Sequence, residues 1–324
     1  MRTYNVLPVL GFIATATLTA GLAAPAASAS EAILQQTFDL SGERSAEVRF
    51  FEMESRLIVY ALDGKRVGGD VFRLRLKGVP AALSGKQADE YTCVEFTVQS
   101  GDAAPVSIPA LAGWTYLFGT TPEGVDEKGQ VFGIDHGKFA NLVDAEGKAL
   151  GPGKSYHVYN AFIDFHSFCD VFARPVPAGG KGIQDLKRIG DKIVHAAAFS
   201  EPPVGLGSDA ANGSVFKNGK VTLELKGLSQ VDGAACALVA YDSGESSFRM
   251  IARPTPETEI RSVGSSHYLG DLYIDLASRW VRKATMYELV VAESTLPTAP
   301  HKVNGVVERE IVIRDVTGRE LTQR

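Results

Sequence analysis

The chain has 324 residues, a formal net charge of -5, and a composition of 45% hydrophobic and 9% aromatic residues. The mildly acidic balance argues against nucleic acid and anionic membrane surfaces as main partners. The apolar content is sufficient for a packed core, and three cysteines are too few for a disulfide-stapled scaffold. The length accommodates two domains or one large duplicated domain.

Residues 1–29 have the pattern of a secretory signal peptide. Arg2 is their only charged side chain, an apolar stretch covers Val6 to Leu22, and small residues end in Ala27-Ser28-Ala29. The alternative is an uncleaved membrane anchor, but a proline, a glycine and several threonines interrupt the apolar stretch. We therefore expect a periplasmic or secreted protein of the bacterial envelope, soluble after cleavage and with no transmembrane span in the mature chain.

Most of the remaining chain is predicted to form short antiparallel strands. Alternating or β-branched and aromatic segments indicate strands at Ala46–Glu52, Arg56–Leu62, Val71–Leu76, Tyr91–Val98, Val221–Leu225, Ala235–Tyr241, Leu272–Leu276, Tyr287–Glu293 and Val306–Arg314. Glycine-containing turns separate them, at Asp63-Gly64, Ser100-Gly101, Glu146-Gly147 and Ser243-Gly244. Strands joined by tight turns favour antiparallel meanders.

Two similar segments indicate an internal duplication. The segment from Leu74 to Gly78 (LRLKG) is echoed from Leu223 to Gly227 (LELKG), and each precedes a strand-like run that opens with a cysteine and ends in Ser-Gly-acid. We predict a mainly β fold of two related antiparallel β-meander units, residues 30–150 and 205–324, arranged as a duplicated half-barrel or in a sandwich-like manner. The first copy carries an insertion, predicted as a longer hairpin loop around Gly85.

Residues 151–204 are predicted to be a partly helical connector between the two units. The run from Tyr156 to Phe172 is the most aromatic part of the chain, and its period fits either a buried strand that passes into a helix or a helix throughout. A second, amphipathic helix is predicted after it, because apolar residues recur every three or four positions at Ile183, Leu186, Ile189, Ile193 and Ala197.

The pair Asp164 and His166 is the main candidate for chemistry. In a strand both side chains would face one side and, with His136, could hold a metal ion. In a helix they would diverge, and His166 would instead pair with Asp170. The alternative to function is a buried aspartate with a hydrogen-bonded histidine beside it. His267 is a distant candidate for the same catalytic set, and since metal-binding spacings such as HExxH and CxxC are missing, we expect no cofactor.

The three cysteines are predicted to be free. Cys93 and Cys236 fall at matching points of the two repeats, which favours two buried thiols over a bridge, although the bridge stays open as an alternative. Cys169 lies among phenylalanines, which favours an inert buried thiol over a nucleophile.

The signal peptide, the meander and hairpins such as that at Leu142–Lys148 resemble the envelope lipoprotein-carrier superfamily. The resemblance implies a curved half-barrel closed by helices, with an apolar cavity, and transfers no functional residue.

Three functional hypotheses follow from these features. The first is a non-catalytic binding protein for an apolar small molecule or an envelope protein, with a groove lined by Tyr156, Tyr159, Phe162, Phe165 and Phe168. The second is a metal-assisted hydrolase that uses Asp164 and His166. The third is a structural module that binds a partner protein along a strand edge. The oligomeric state is not indicated by the sequence.

Overall fold

The structure of the chain is a computed structural model that describes residues 36–83, 86–118, 134–176, 180–195, 199–200, 213–255, 258–297 and 301–318. The predicted signal peptide lies outside these residues. Residues 37–324 group into one compact unit.

The described strands form one antiparallel sheet. Its central path runs in the order β4-β3-β2-β1-β14-β13-β12-β10-β9-β6, and β5, β7, β8 and β11 pair at its margins. The strand bounds are β1 (Arg49–Tyr60), β2 (Arg66–Leu83), β3 (Lys86–Ser100), β4 (Val106–Ser107), β5 (Thr115–Phe118), β6 (Lys192–Val194), β7 (Phe199–Ser200), β8 (Val215–Lys217), β9 (Thr222–Val231), β10 (Ala234–Asp242), β11 (Ser246–Thr255), β12 (Thr258–Asp275), β13 (Val281–Thr295) and β14 (Val303–Val316).

The period of two along each strand gives the sheet an inner and an outer face. On β1, the side chains of Phe51, Met53 and Leu57 are buried, whereas the alternate residues Glu52 and Glu54 point to the other side. We call the buried side, which carries the hydrophobic core, the inner face and the opposite side the outer face.

The prediction of a mainly β, antiparallel fold is confirmed. Both halves contribute to a single sheet, so the half-barrel alternative, which needs one sheet, fits better than a sandwich, which needs two. The predicted strands 46–52 and 56–62 are one continuous strand, β1, because no turn residue interrupts them. The predicted turns are present, and each uses a glycine with positive φ, at Gly64, Gly101, Gly147 and Gly244.

The two LxLKG segments occupy comparable places in the sheet. Each lies on the first strand of a hairpin, β2–β3 or β9–β10, and its two leucines are buried in the core. The cysteines are not in equivalent register, since Cys93 lies opposite Leu76 while Cys236 lies opposite Ser229. The insertion lengthens both strands of the first hairpin, which pair as far as Leu83 and Lys86, and Gly85 lies outside the described residues. A duplicated origin of the two units stays a prediction.

Within its described residues the connector contains one α-helix, α1 (Pro152–His166), which a π-helical turn continues over Ser167–Val171. This outcome confirms the alternative in which the aromatic run is helical throughout. None of the described helices is long and apolar enough to cross a bilayer.

The predicted second helix is wrong. Its span holds a short 3-10 turn (Ile183–Asp185) and then strand β6, separated by Gly190 at a φ of +94°, which a right-handed helix does not allow. Ile183, Leu186 and Ile193 are nevertheless buried, because the core requires apolar side chains at these points whatever the local backbone. Ala197 lies outside the described residues.

Candidate functional site

The aromatic residues of α1 form the centre of the hydrophobic core. Phe162 and Phe165, with Phe168 of the π-helical turn, are almost completely buried, and their rings pack against the inner face of the sheet. Tyr159 is equally buried and packs against Phe139. Phe165 meets Phe51 with ring centroids 5.2 Å apart, and Phe168 meets Tyr241 at the same distance. Tyr156, which we also predicted to line a groove, is partly buried. A ligand-binding role for these residues stays a prediction, and in this structure their rings contact protein.

Asp164 and His166 diverge because they lie two positions apart on a helix. Asp164 forms an ion pair with the guanidinium of Arg309 on β14. The Nε of Arg309 also donates to Glu288 Oε2 on β13 at 2.7 Å. Arg309 thus lies between two carboxylates, and the three residues come from three different elements, α1, β13 and β14. All three side chains are at most 15% exposed.

The excess of negative charge around Arg309 affects the acidity of Asp164. Burial raises the pKa of Asp164 to about 6, against the opposing influence of Arg309 and with a further increase from Glu288. His157, which follows Tyr156 on α1 and packs against Phe72, has its pKa lowered by burial, and further by Arg309, to about 4. Asp164 is therefore the carboxyl whose protonation changes nearest to neutral pH in this part of the core.

His166 is the centre of a second, completely buried network. Its Nδ1 lies 2.6 Å from Asp170 Oδ2, and its Nε2 lies 2.6 Å from the hydroxyl of Tyr116. The pairing with Asp170 is the one that we predicted for a helical segment. Neither His166 nor Asp170 has measurable exposed surface, so the imidazole is held from both sides inside the core.

Two arginines neutralise the carboxylates of this network. Arg44 Nη1 lies 2.6 Å from Asp170 and 3.0 Å from Asp89, and Arg174 forms ion pairs with the same two aspartates. The hydroxyl of Tyr91 donates to Asp170 Oδ1 at 3.0 Å. Burial raises the pKa of Asp170, but Arg44 and His166 outweigh it, and the pKa ends below its usual value. The cluster balances two carboxylates with two guanidinium groups, the arrangement expected of buried charges that hold segments together.

The sequence did not identify Arg44, Asp89 and Arg174 because nothing in their spacing connects them across the fold. Arg309 and Glu288 had a usable signal. Each occupies an inward position in an alternating strand, between Val307 and Ile311 or between Met286 and Val290, where a charged residue requires a buried partner.

The remaining candidate histidines lie in separate places. His136 contacts the hydroxyl of Tyr159 with its Nε2 at 3.3 Å. His267 lies on the outer face of β12, where its Nε2 is 2.8 Å from Asp242 Oδ1. Within the described part of the chain, no group of three His, Cys, Asp or Glu side chains is arranged to hold a metal ion. The metal set Asp164, His166 and His136, and the catalytic set with His267, stay predictions.

The three cysteines are free and buried, as predicted. Burial raises the pKa of Cys93 to about 12 and that of Cys169 well above its usual value. A thiol with a raised pKa is a poor nucleophile, which agrees with an inert role.

The outer face of the sheet carries a strip of exposed apolar side chains. On β13 they are Tyr287, Leu289 and Val291, and on β12 they are Leu269 and Val263, which are separated by Ser265 and His267; the five apolar residues are 38–47% exposed. Tyr287 lies directly opposite Leu269 in the register of the two strands. We call these five residues the outer strip.

Beside the outer strip, charged residues alternate in sign across the strands. Arg75 Nη1 on β2 pairs with Glu95 on β3 at 2.9 Å, and Arg73 Nε pairs with Glu54 on β1 at 2.8 Å. A groove of about 1380 Å³ lies over β1 and β14 and is bordered by the turn between β9 and β10. Its charged lining on β1 and β14 comprises Arg49, Glu52, Glu54, Arg56, Glu310, Arg314 and Asp315.

Comparisons with known proteins add little to this description. No family model matches the chain, and no curated protein matches it. A DUF1329 family protein from Desulfovibrio piger is among the solved structures that resemble it, with 8% sequence identity, coverage of 83% of this chain and 86% of that chain, and a TM-score of 0.15.

Proposed function

We propose that this chain is an exported, non-catalytic binding protein of the bacterial envelope that docks a protein partner on the outer face of its sheet. The outer strip is the observation that supports this proposal most directly. Contiguous exposed apolar surface on a folded protein usually marks an interaction site, whereas isolated exposed apolar residues need no explanation. Export is supported by the charge, apolar and small-residue pattern of residues 1–29.

The distribution of apolar surface favours a protein over an apolar small molecule. The aromatic rings of Phe162, Phe165 and Phe168 are engaged in core contacts and are not accessible to a ligand, whereas the side chains of the outer strip are exposed. This surface is open and spreads over two neighbouring strands, whereas small-molecule sites are usually concave and enclose most of the ligand. An open apolar strip beside charged residues resembles the core and rim of a protein interface.

Charge complementarity indicates the chemistry of the partner. Glu308 and Glu310 on β14 lie directly opposite Leu289 and Tyr287 of the outer strip. The hydroxyls of Tyr60 and Tyr287 donate hydrogen bonds to Glu308. This bond raises the pKa of Tyr60, and burial together with Glu308 raises the pKa of Tyr287. The partner surface is therefore an apolar ridge with basic side chains along one side.

Site-specific photo-cross-linking in the exporting cell tests the proposal. A photoreactive phenylalanine derivative placed at Leu289 is expected to give a discrete cross-linked product, identified by mass spectrometry. The same group at Val194, an exposed apolar site on β6, is the matched control. The product must disappear when Val291→Asp is added, while the fold, followed by circular dichroism, stays intact. If Leu289 gives no product, or one that Val291→Asp leaves unchanged, the outer strip is not a docking surface.

A further inference from the structure

The charges of the outer face suggest which protein occupies it. Across β1 and β14, Arg56 lies directly opposite Glu310, and Glu52 lies directly opposite Arg314. In both pairs one strand carries the positive charge and the other the negative charge, and the order reverses between the pairs. Since β1 and β14 are neighbours in the sheet, these four residues mark the corners of a narrow rectangle of alternating charge, about 5 Å across the strands and about 13 Å along them. Glu54 lies between Arg56 and Glu52 on β1 and pairs with Arg56 at 2.6 Å.

This pattern of four charges is complementary to the same pattern on a second copy of the chain. We propose, on the basis of the proposed function, that the docked partner is a second copy of this chain, related by a two-fold axis parallel to the strands and above the line between β1 and β14. This axis places β1 of each copy over β14 of the other. Arg56 then faces Glu310 of the second copy and Glu52 faces Arg314 of the second copy, and the symmetry repeats each contact once.

Some apolar residues around these four charges also contact apolar residues of the second copy under this axis. Strand β2 of one copy lies over β13 of the other, so Val71, which is opposite Arg56 on β2, lies over Tyr287 of the outer strip. Tyr60 on β1 lies over Val306 on β14, its own cross-strand neighbour. In the row of Ile58, however, Leu289 faces Gly69 and Ile58 faces Glu308, so the apolar cover of β13 and β14 is partial.

One like-charged juxtaposition arises, and it lies away from the axis. Arg75 on β2 falls over Lys283 on β13, in the row of Glu52 and Arg314. Arg75 is paired with Glu95 within its own copy at 2.9 Å. Packed sheets also cross at roughly 30°, so strands far from the axis move out of register. The central pairs therefore determine whether the association is favourable.

The available area is sufficient for a specific but modest interface. The face that is symmetric about the axis, from β2 to β13 and over the length from Glu52 to Tyr60, covers roughly 19 Å by 26 Å at about 4.8 Å per strand and about 3.3 Å per residue. Two copies would bury on the order of 1,000 Å² in total, about the minimum for a specific protein interface. We therefore expect a reversible dimer that depends on concentration and salt.

Sedimentation velocity of the mature, folded chain tests the inference through charge reversal. The wild type is expected to show a concentration-dependent dimer. Arg56→Glu alone and Glu310→Arg alone should each be monomeric at concentrations where the wild type is dimeric, because each homodimer would contain two like-charged contacts. An equimolar mixture of the two variants should form a dimer again, since one contact then places Glu at 56 against Arg at 310 and the other keeps Arg56 against Glu310.

Lys65→Glu, in the exposed turn after β1, makes the same change of charge away from the face and should leave the dimer intact. A wild type that stays monomeric up to millimolar concentration overturns the inference, as does a mixture that fails to restore the dimer while both variants are folded. The cross-link at Leu289 separates the two proposals. A product with a different protein retains the proposed function and refutes the second copy, whereas the absence of any product refutes both.

Discussion

Protonation of Asp164 is expected to control how strongly α1 is held to the sheet. Burial raises the pKa of this carboxyl from 3.8 to about 6, because Arg309 is shared with Glu288 and cannot fully compensate two buried carboxylates. A shift of about two units corresponds to about 3 kcal/mol of free energy between the two protonation states. The ionised form of Asp164 is therefore a cost to the folded state at neutral pH.

The sign of the pH dependence follows from proton binding. Between pH 3.8 and about 6 the folded state binds more protons at Asp164 than the unfolded state does, so the contribution of this group to stability is greatest below pH 3.8 and is lost as the pH rises through about 6. Asn at position 164 is neutral at every pH and keeps an oxygen that accepts from Arg309. The free energy of unfolding of Asp164→Asn minus that of the wild type should therefore increase by about 3 kcal/mol between pH 4 and pH 8.

Urea unfolding of both proteins at half-unit steps of pH, followed by circular dichroism, measures this difference. Taking the difference between two proteins removes the contributions of the other titrating groups, including Asp170. Glu90→Gln, at an exposed site on β3, controls for the loss of a carboxylate as such. A difference that is constant with pH, or that decreases from pH 4 to pH 8, would refute the conclusion that burial beside Arg309 raises the pKa of Asp164.

Three further predictions test the core and the sheet. Tyr116→Phe should lower the free energy of unfolding by about 1–3 kcal/mol, since His166 Nε2 would lose its partner in a buried site, and urea unfolding measures this loss. Gly270→Ala should lower the free energy of unfolding by about 1–3 kcal/mol or more, because a Cβ there would come within 1.8 Å of the Thr285 carbonyl oxygen. Gly305→Ala is the control and should change the melting temperature little, because its nearest neighbour is 3.8 Å away. Equal effects of the two substitutions would contradict the strand register. A thiol reagent should label none of the cysteines in the native protein and all of them in urea, and rapid native labelling would show that at least one thiol is exposed, among Cys93, Cys169 and Cys236.

Local patterns were sufficient for the class of fold. The alternation of apolar and polar residues in β1, β9, β10 and β14 predicts the strand period of two. The glycines at the turns indicate where the chain must adopt positive φ. The helical period of Tyr156–Phe172 was ambiguous only because the run is aromatic on nearly every side. A buried helix loses the polar stripe that would have marked it as a helix.

The second helix failed for the opposite reason. Ile183, Leu186 and Ile193 have a helical spacing, but each is buried for a separate tertiary reason, and Gly190 ends any helix between them. A spacing of three or four residues over so short a span does not distinguish an amphipathic helix from an irregular segment that touches the core repeatedly.

The sequence by itself determined the mainly β class and the turns, favoured free thiols over a bridge, and limited the partners of His166 to two alternative sets. The tertiary structure alone decided that both halves share one sheet, that Arg309 and Arg44 each serve two carboxylates, and that the aromatic run fills the core. The physical reason is the separation along the chain over which each kind of interaction acts. Strand alternation and turn chemistry act between neighbours in the chain, whereas a buried charge finds its partner across the sheet, as Asp164 and Arg309 do. No pattern within either segment of the sequence indicates that these two side chains form an ion pair.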